Sequence, residues 1–123
     1  MRVPDFLRPR TEKQIAGQLG EDAALSYLQQ RGLVLVERNF LCKGGELDLV
    51  MQEGDVLVFV EVRKRADRSH GGAAASVTLV KQKRLTAAAH HYLQRYRMPP
   101  ACRFDVVAID GDETSWIRNA IVA

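Results

Sequence analysis

Apolar positions recur every three or four residues from Ile15 through Leu19, Ala23 and Ala24 to Tyr27 and Leu28, the spacing of one helix face. Thr11 and Gln14 stand as a capping box before this run, and Gly32 suits the C-terminal cap, so a helix is predicted over about 12–31. The period then changes. Leu33–Phe40 reads as a strand and Lys43-Gly44-Gly45 as a turn. Gly45–Val50 and Val58–Arg65 read as two further strands joined through Glu53-Gly54-Asp55, which makes an antiparallel meander. Residues 66–76, with His70-Gly71-Gly72-Ala73-Ala74-Ala75, read as a mobile loop. A second helix starts after Ser76 or Thr78 and runs to about Arg97, stopped by Pro99-Pro100. Arg103–Ile109 is another strand, Gly111-Asp112 a turn, and Ser115-Trp116-Ile117 the start of a short last strand.

The order is α-β-β-β-α-β(-β). A strand, helix and strand in succession favour a right-handed crossover with the two strands parallel, giving an α/β fold with a mixed sheet flanked by helices. The first ten residues, with Pro4, Pro9 and three arginines, read as a flexible arm before a single domain over 11–123.

Two of the apolar strands carry charges at alternate positions, Glu46 and Asp48 on one, Glu61 and Arg63 on the other. Side chains two apart share a face of a strand. A two-residue turn at Gly54-Asp55 pairs Glu53 with Val56, and hence Asp48 with Glu61 and Glu46 with Arg63. Leu47, Leu49 and Met51 are expected on the opposite face. Two carboxylates opposed across a strand pair repel. A divalent cation removes that penalty, and magnesium takes one or two carboxylates while leaving room for a phosphate. Arg63 would point to the same spot and hold phosphate. The alternative is an exposed face laced by cross-strand salt bridges, Glu46–Arg63 first among them.

Glu21 lies among Gly20, Ala23 and Ala24, small residues that let a helix approach the sheet; it reads either as a further acidic group of the site or as an ordinary exposed glutamate. Lys81 shares a stripe with Leu85, Ala88, Tyr92 and Tyr96, so it either snorkels to solvent or reaches the same cleft as Arg63. His90 and His91 lack a partner at ligand spacing and read as structural; His70 is left unassigned.

Composition adds little by itself. The 123 residues hold 46% hydrophobic and 27% charged residues with a formal net charge of +3, an ordinary balance for a globular protein. The bases cluster, however, at Arg63-Lys64-Arg65 and at Lys81-Gln82-Lys83-Arg84, which raises the prospect of a polyanionic partner. Two cysteines, Cys42 and Cys102, make no CxxC pattern, so the expectation is a reduced, cytoplasmic setting without a cysteine zinc site. No apolar run approaches a membrane span or a signal peptide, so no membrane association is expected.

Gly45-Glu46-Leu47-Asp48-Leu49 followed by Val58-Phe59-Val60-Glu61-Val62-Arg63 resembles the PD-(D/E)xK nuclease signature. With Gly20-Glu21, Gly71-Gly72-Ala73-Ala74-Ala75-Ser76-Val77 and Cys102-Arg103-Phe104-Asp105-Val106-Val107, the set resembles the YraN family from about residue 17 to 121. That resemblance implies a restriction-endonuclease-like αβββαβ core, similar in outline to archaeal Holliday junction resolvases. It implies Mg²⁺ or Mn²⁺ held by Asp48 and Glu61, with Glu46 or Glu21 completing the site. Arg63 and Lys81 would handle phosphate, and Lys64, Arg65, Lys83 and Arg84 would extend the nucleic-acid surface. Arg63 stands where the signature has lysine; arginine stays protonated and cannot act as a base, so Lys81 is the candidate replacement. Two functions follow: a metal-dependent endonuclease on DNA rather than RNA, acting on branched or repair intermediates with a homodimer as one arrangement, or a catalytically weak nuclease-fold module that binds nucleic acid or a repair partner. A structural or interaction protein with ordinary surface salt bridges is the third.

Overall fold

The computed structural model describes residues 11–65 and 72–121, without the side chains of residues 13–16. The arm at 1–10, His70 and the first part of the predicted loop therefore lie outside the described residues, as does the Gln14 half of the capping box. Helix α1 spans Glu12–Gln30. It ends in a Schellman cap: Gly32 adopts φ 97°, its N–H donates to the Gln29 carbonyl at 3.1 Å, and the Leu33 N–H donates to the Leu28 carbonyl at 3.1 Å. A side chain at residue 32 would be strained in that conformation, so glycine there stops the helix and turns the chain into the sheet.

The sheet has five strands in sequence order, β1 (Val34–Cys42), β2 (Gly45–Glu53), β3 (Val56–Arg65), β4 (Cys102–Asp110) and β5 (Glu113–Ile121). The first three pair antiparallel as the meander predicts, and β3 pairs parallel with β4. Helix α2 (Leu79–Leu93) makes the crossover between them. Thr78 is its N-cap, its hydroxyl accepting the Lys81 N–H at 3.3 Å. The helix ends at Leu93, short of Arg97, because its last groups tighten: the N–H groups of Gln94, Arg95 and Tyr96 donate to carbonyls three residues back. The last strand is longer than its sequence suggests, nine residues from Glu113. Part of the predicted mobile loop is ordered as a 3₁₀ turn at Ala74–Ser76.

One helix covers each face of the sheet. Ala24 and Leu28 of α1 pack on Leu49, Met51, Val58, Val60 and Val107. On the other face, Leu85, Ala88 and Tyr92 of α2 pack on Val50, Phe59, Phe104 and Val106. Tyr92 meets Phe40 and Phe59 edge-on, with centroids 5.2 and 5.8 Å away. Each such buried side chain contributes about 1.5–3 kcal/mol of transfer free energy. Leu47 departs from expectation: it joins Val50 in the α2-side cluster and leaves Leu49 and Met51 on the α1 side. Strict alternation is lost at the residue between, Asp48.

Candidate active site

The turn at Gly54-Asp55 gives the predicted register, with Glu53 paired to Val56 and the ladder continuing to Leu49–Val60. There it stops. Asp48 and Glu61 therefore stand one step beyond the last backbone pair, where β2 stays with β1 and β3 stays with β4. Asp48 is buried at 8% exposure, and one oxygen of its carboxylate accepts the Val62 N–H at 2.9 Å. The side chain thus takes up a donor that the ended β2–β3 ladder leaves free. The same carboxyl is hydrogen-bonded to Glu61.

Two carboxyls in hydrogen-bond contact cannot both ionise cheaply. Burial pushes Glu61 up to about 8, with the Asp48 charge as the next cause. Burial also raises Asp48, against the lowering effects of the Val62 N–H, Glu61, Arg63 and Lys81. Both shifts run in the direction of a pair that shares a proton rather than ionising twice.

Arg63 holds the other side of Glu61. Its Nη1 lies 3.5 Å from Glu61 Oε1, and its Nε donates to the Ser76 hydroxyl at 2.7 Å. Ser76 in turn donates to the Ala73 carbonyl at 2.6 Å, and the Ala73 N–H donates to Asp110 at 2.6 Å. The segment after Gly72 is thereby tied to the end of β4 and presents an acceptor to Arg63. The arginine pairs with Glu61, its own strand neighbour, rather than with Glu46 as the cross-strand alternative had it.

A cleft of about 540 Å³ opens beside the pair, lined by Glu46, Glu61, Arg63, Lys81, Arg84 and the β1–β2 turn. Lys81 reaches it from the first turn of α2, which resolves its two sequence readings in favour of the cleft. Burial, then Arg63 nearby, holds its ammonium below the ordinary lysine range. Glu46 is raised by burial and by Asp48, although it stands exposed on the cleft wall. The close seating of α2 depends on glycine: a Cβ on Gly45 would sit 2.5 Å from the Arg84 carbonyl oxygen.

The remaining predicted residues are not gathered in the cleft. Glu21 lies 3.7 Å from Arg38 on β1, and burial followed by the Asp48 charge raises it. It senses the pair electrostatically without lining the cleft. Lys64 lays its aliphatic stem over Gly20 of α1, on the opposite side of the strand from Arg63. Arg65 and Lys83 are exposed. Among the described residues no group of three or more Asp, Glu, His or Cys side chains is assembled as a ligand cage. What is assembled is a carboxylate pair beside an open, cation-lined cleft. That donor set suits an ion which keeps water and shares a phosphate with its substrate, as magnesium does.

Three participants were missed in the sequence. Ser76 was read as a possible helix cap, whereas its hydroxyl fixes Arg63. Lys43 was read only as part of a turn and Leu41 was given no reading, and both line the cleft. The charge in an otherwise glycine turn was the available signal for Lys43, and Ser76 stood within the Gly71–Val77 stretch of the family resemblance.

Residues 20–109 match the family described as "Uncharacterised protein family UPF0102". A UPF0102 protein of Herminiimonas arsenicoxydans is 73% identical over 122 residues, covering 98% of both chains. One from Janthinobacterium sp. (strain Marseille) is 67% identical over the full length of both. One from Cupriavidus metallidurans is 57% identical over 114 residues, 92% of this chain and 85% of its own. The family match runs from the middle of α1 to the penultimate residue of β4 and so includes both members of the carboxylate pair and its cationic surround: the chain belongs to the UPF0102 (YraN) family.

Proposed function

We propose that this chain is a magnesium- or manganese-dependent endonuclease that hydrolyses phosphodiester bonds in DNA. The observation that supports it most is the buried Asp48–Glu61 pair, two carboxyls in contact with Arg63 and Lys81 turned to the same cleft. Such a pair is a poor structural element, because it is stable only when it carries a proton or a cation. Asp48 and Glu61 would hold the ion, which when bound supplies a Lewis acid for a phosphoryl oxygen and makes water more acidic. Arg63, fixed by Ser76, binds a phosphate oxygen and steadies charge developing there. An arginine side chain is a permanent cation and no base, whereas burial and the neighbouring Arg63 hold the Lys81 ammonium below the ordinary lysine range, the direction a proton-exchanging group requires. Glu46 on the cleft wall and Glu21 behind the pair tune its affinity for cations through their charge.

Cleavage of a panel of duplex, nicked, flapped and four-way DNA, with matching RNA controls, tests the reading in Mg²⁺ and Mn²⁺. The expected result is cation-dependent cleavage of DNA that Asp48→Asn abolishes and Lys81→Ala slows. An unchanged rate in Lys81→Ala would remove that residue from the chemistry. A second reading has its own support in Arg63, the permanently charged residue where the nuclease signature has lysine. On that reading the chain binds nucleic acid through the same cleft without cutting it, and cation binding that depends on Asp48 would appear with no cleavage of any substrate.

A further inference from the structure

The cleft beside the carboxylate pair has walls of two kinds. Beside the Glu46 and Glu61 carboxyls, Arg63, Lys81, Arg84 and Lys43 make it cationic, while Leu41, Cys42 and Leu85 give it an apolar side. Leu85 is buried at its base, and Leu41 stands 74% exposed. Leu41 is the penultimate residue of β1, and the turn that follows cannot draw back into α2: a Cβ on Gly44 would lie 3.3 Å from the Ala87 Cβ, and one on Gly45 2.5 Å from the Arg84 carbonyl oxygen. The apolar wall is therefore a standing feature of the site. At about 540 Å³ the space falls inside the range of about 300–1,000 Å³ that holds one compact organic ligand.

A regular duplex brings phosphates to such a place but keeps its base faces stacked away. Its backbone would satisfy the four cations and leave Leu41 in water. An unpaired nucleotide brings both surfaces, an anionic phosphate and a free apolar base face. Resting on the nucleic-acid reading above, we infer that the cleft takes one unpaired nucleotide of a DNA strand, its phosphate toward Arg63, Lys81 and Arg84 and its base against Leu41 and Leu85. The substrate class is then DNA with a single-stranded or extruded nucleotide next to the phosphate that the carboxylate pair serves. Perfect duplex is bound through charge alone.

Fluorescence anisotropy without divalent cation tests this apart from cleavage, using a perfect duplex and the same duplex with one bulged 2-aminopurine. The bulged duplex is expected to bind about tenfold more tightly, with a change in 2-aminopurine emission as its base leaves water. Leu41→Ser, a change at an exposed position, is expected to reduce that preference to about threefold or less. Lys81→Gln is expected to weaken both duplexes by a similar factor, since it removes a phosphate contact. Equal affinity of the unaltered protein for the two duplexes overturns the nucleotide pocket and leaves the nucleic-acid reading in place. A preference that survives Leu41→Ser overturns the base contact. Absence of binding to either duplex removes the inference and the reading it rests on together.

Discussion

Asp105 and Asp48 are both buried acids in the same sheet, and their surroundings assign them different work. Asp105 is fully buried and accepts from Arg103 Nε and Nη2, from Trp116 Nε1 at 2.9 Å and from the Asn119 N–H at 2.8 Å. Arg103 continues to Glu53 at 3.0 Å, and Glu53 to Arg118 at 2.7 Å. Asn119 sits at φ 51° beside the point where β4 and β5 shift register, so the aspartate also stitches an irregular strand into place. Its oxygens are met by donors that the chain itself provides. Among the described residues Asp48 has one such donor, the Val62 N–H, and otherwise faces another carboxyl. A buried acid whose partners are complete is part of the scaffold; one whose nearest partner is a second acid has room in its electrostatics for a cation from outside.

The sharpest break in that comparison is Asp105→Ala. It leaves Arg103, the Trp116 indole N–H and the Asn119 N–H without their common acceptor. Removing one member of a buried pair typically costs about 3–5 kcal/mol, and a loss of that size is expected in urea unfolding. Magnesium should leave the loss unchanged. A mild effect, under about 1 kcal/mol, would mean that solvent replaces Asp105 easily and that it is no more structural than Asp48.

Next in size is the response to pH. Glu61 moves from 4.5 unfolded to about 8 folded, and Asp48 is raised as well. Between those limits the folded chain binds more protons than the unfolded one, so stability is full below about pH 4.5 and declines as pH rises through 8. In EDTA a loss of about 2–3 kcal/mol between pH 5 and 8 is expected in thermal or urea unfolding, allowing for screening at the cleft. Saturating magnesium should flatten the decline, since it takes the proton's place. An identical slope with and without the ion would separate the pair from cation binding.

Asp48→Asn divides stability from function. The amide can still accept the Val62 N–H and meet Glu61, but it ends the repulsion. The variant is expected to be about 1–2 kcal/mol more stable at pH 8 and to bind magnesium or manganese at least about tenfold more weakly by calorimetry. The corresponding change at Asp105 would only destabilise. If Asp48→Asn also lost stability at pH 8, Asp48 would belong with Asp105 as a scaffold acid.

Much of this was legible in the sequence because it rests on short-range rules. The period of the apolar residues located both helices and all strands, and the Gly54-Asp55 turn fixed the β2–β3 register. That register was enough to bring Asp48 and Glu61 together. It could not show that pairing ends at Leu49–Val60, because the end of a ladder depends on which neighbour each strand follows. For the same reason Leu47 turned to the α2 side against simple alternation. Lys81 was ambiguous until the seating of α2 on Gly44-Gly45 decided its direction. Asp105 lay in plain view in Arg103-Phe104-Asp105, but its partners Trp116 and Asn119 come from a strand whose bulge has no local signature.

The smallest predicted effect concerns the segment that serves the open pair from a distance. Ser76 accepts from Arg63 Nε and donates to the Ala73 carbonyl, while Ala73 is tied to Asp110. Arg63 therefore has two competing partners, the hydroxyl at 2.7 Å and Glu61 at 3.5 Å, and the hydroxyl holds it back from the carboxylate. Ser76→Ala should let the guanidinium close on Glu61, which occupies both the proposed phosphate ligand and the proposed metal ligand in one ion pair. A hydrogen bond from a charged group is worth about 1.5–3 kcal/mol when buried, and this half-buried one should fall below that range. The expectation is about a threefold loss of DNA affinity together with a lowered apparent pKa of Glu61, visible as a shallower fall of stability between pH 5 and 8. Ser76→Thr keeps the hydroxyl and should restore both. A Ser76→Ala protein with the original pH profile would show that Arg63 is aimed by its strand alone, and that the segment after Gly72 serves only to close the fold over the end of β4.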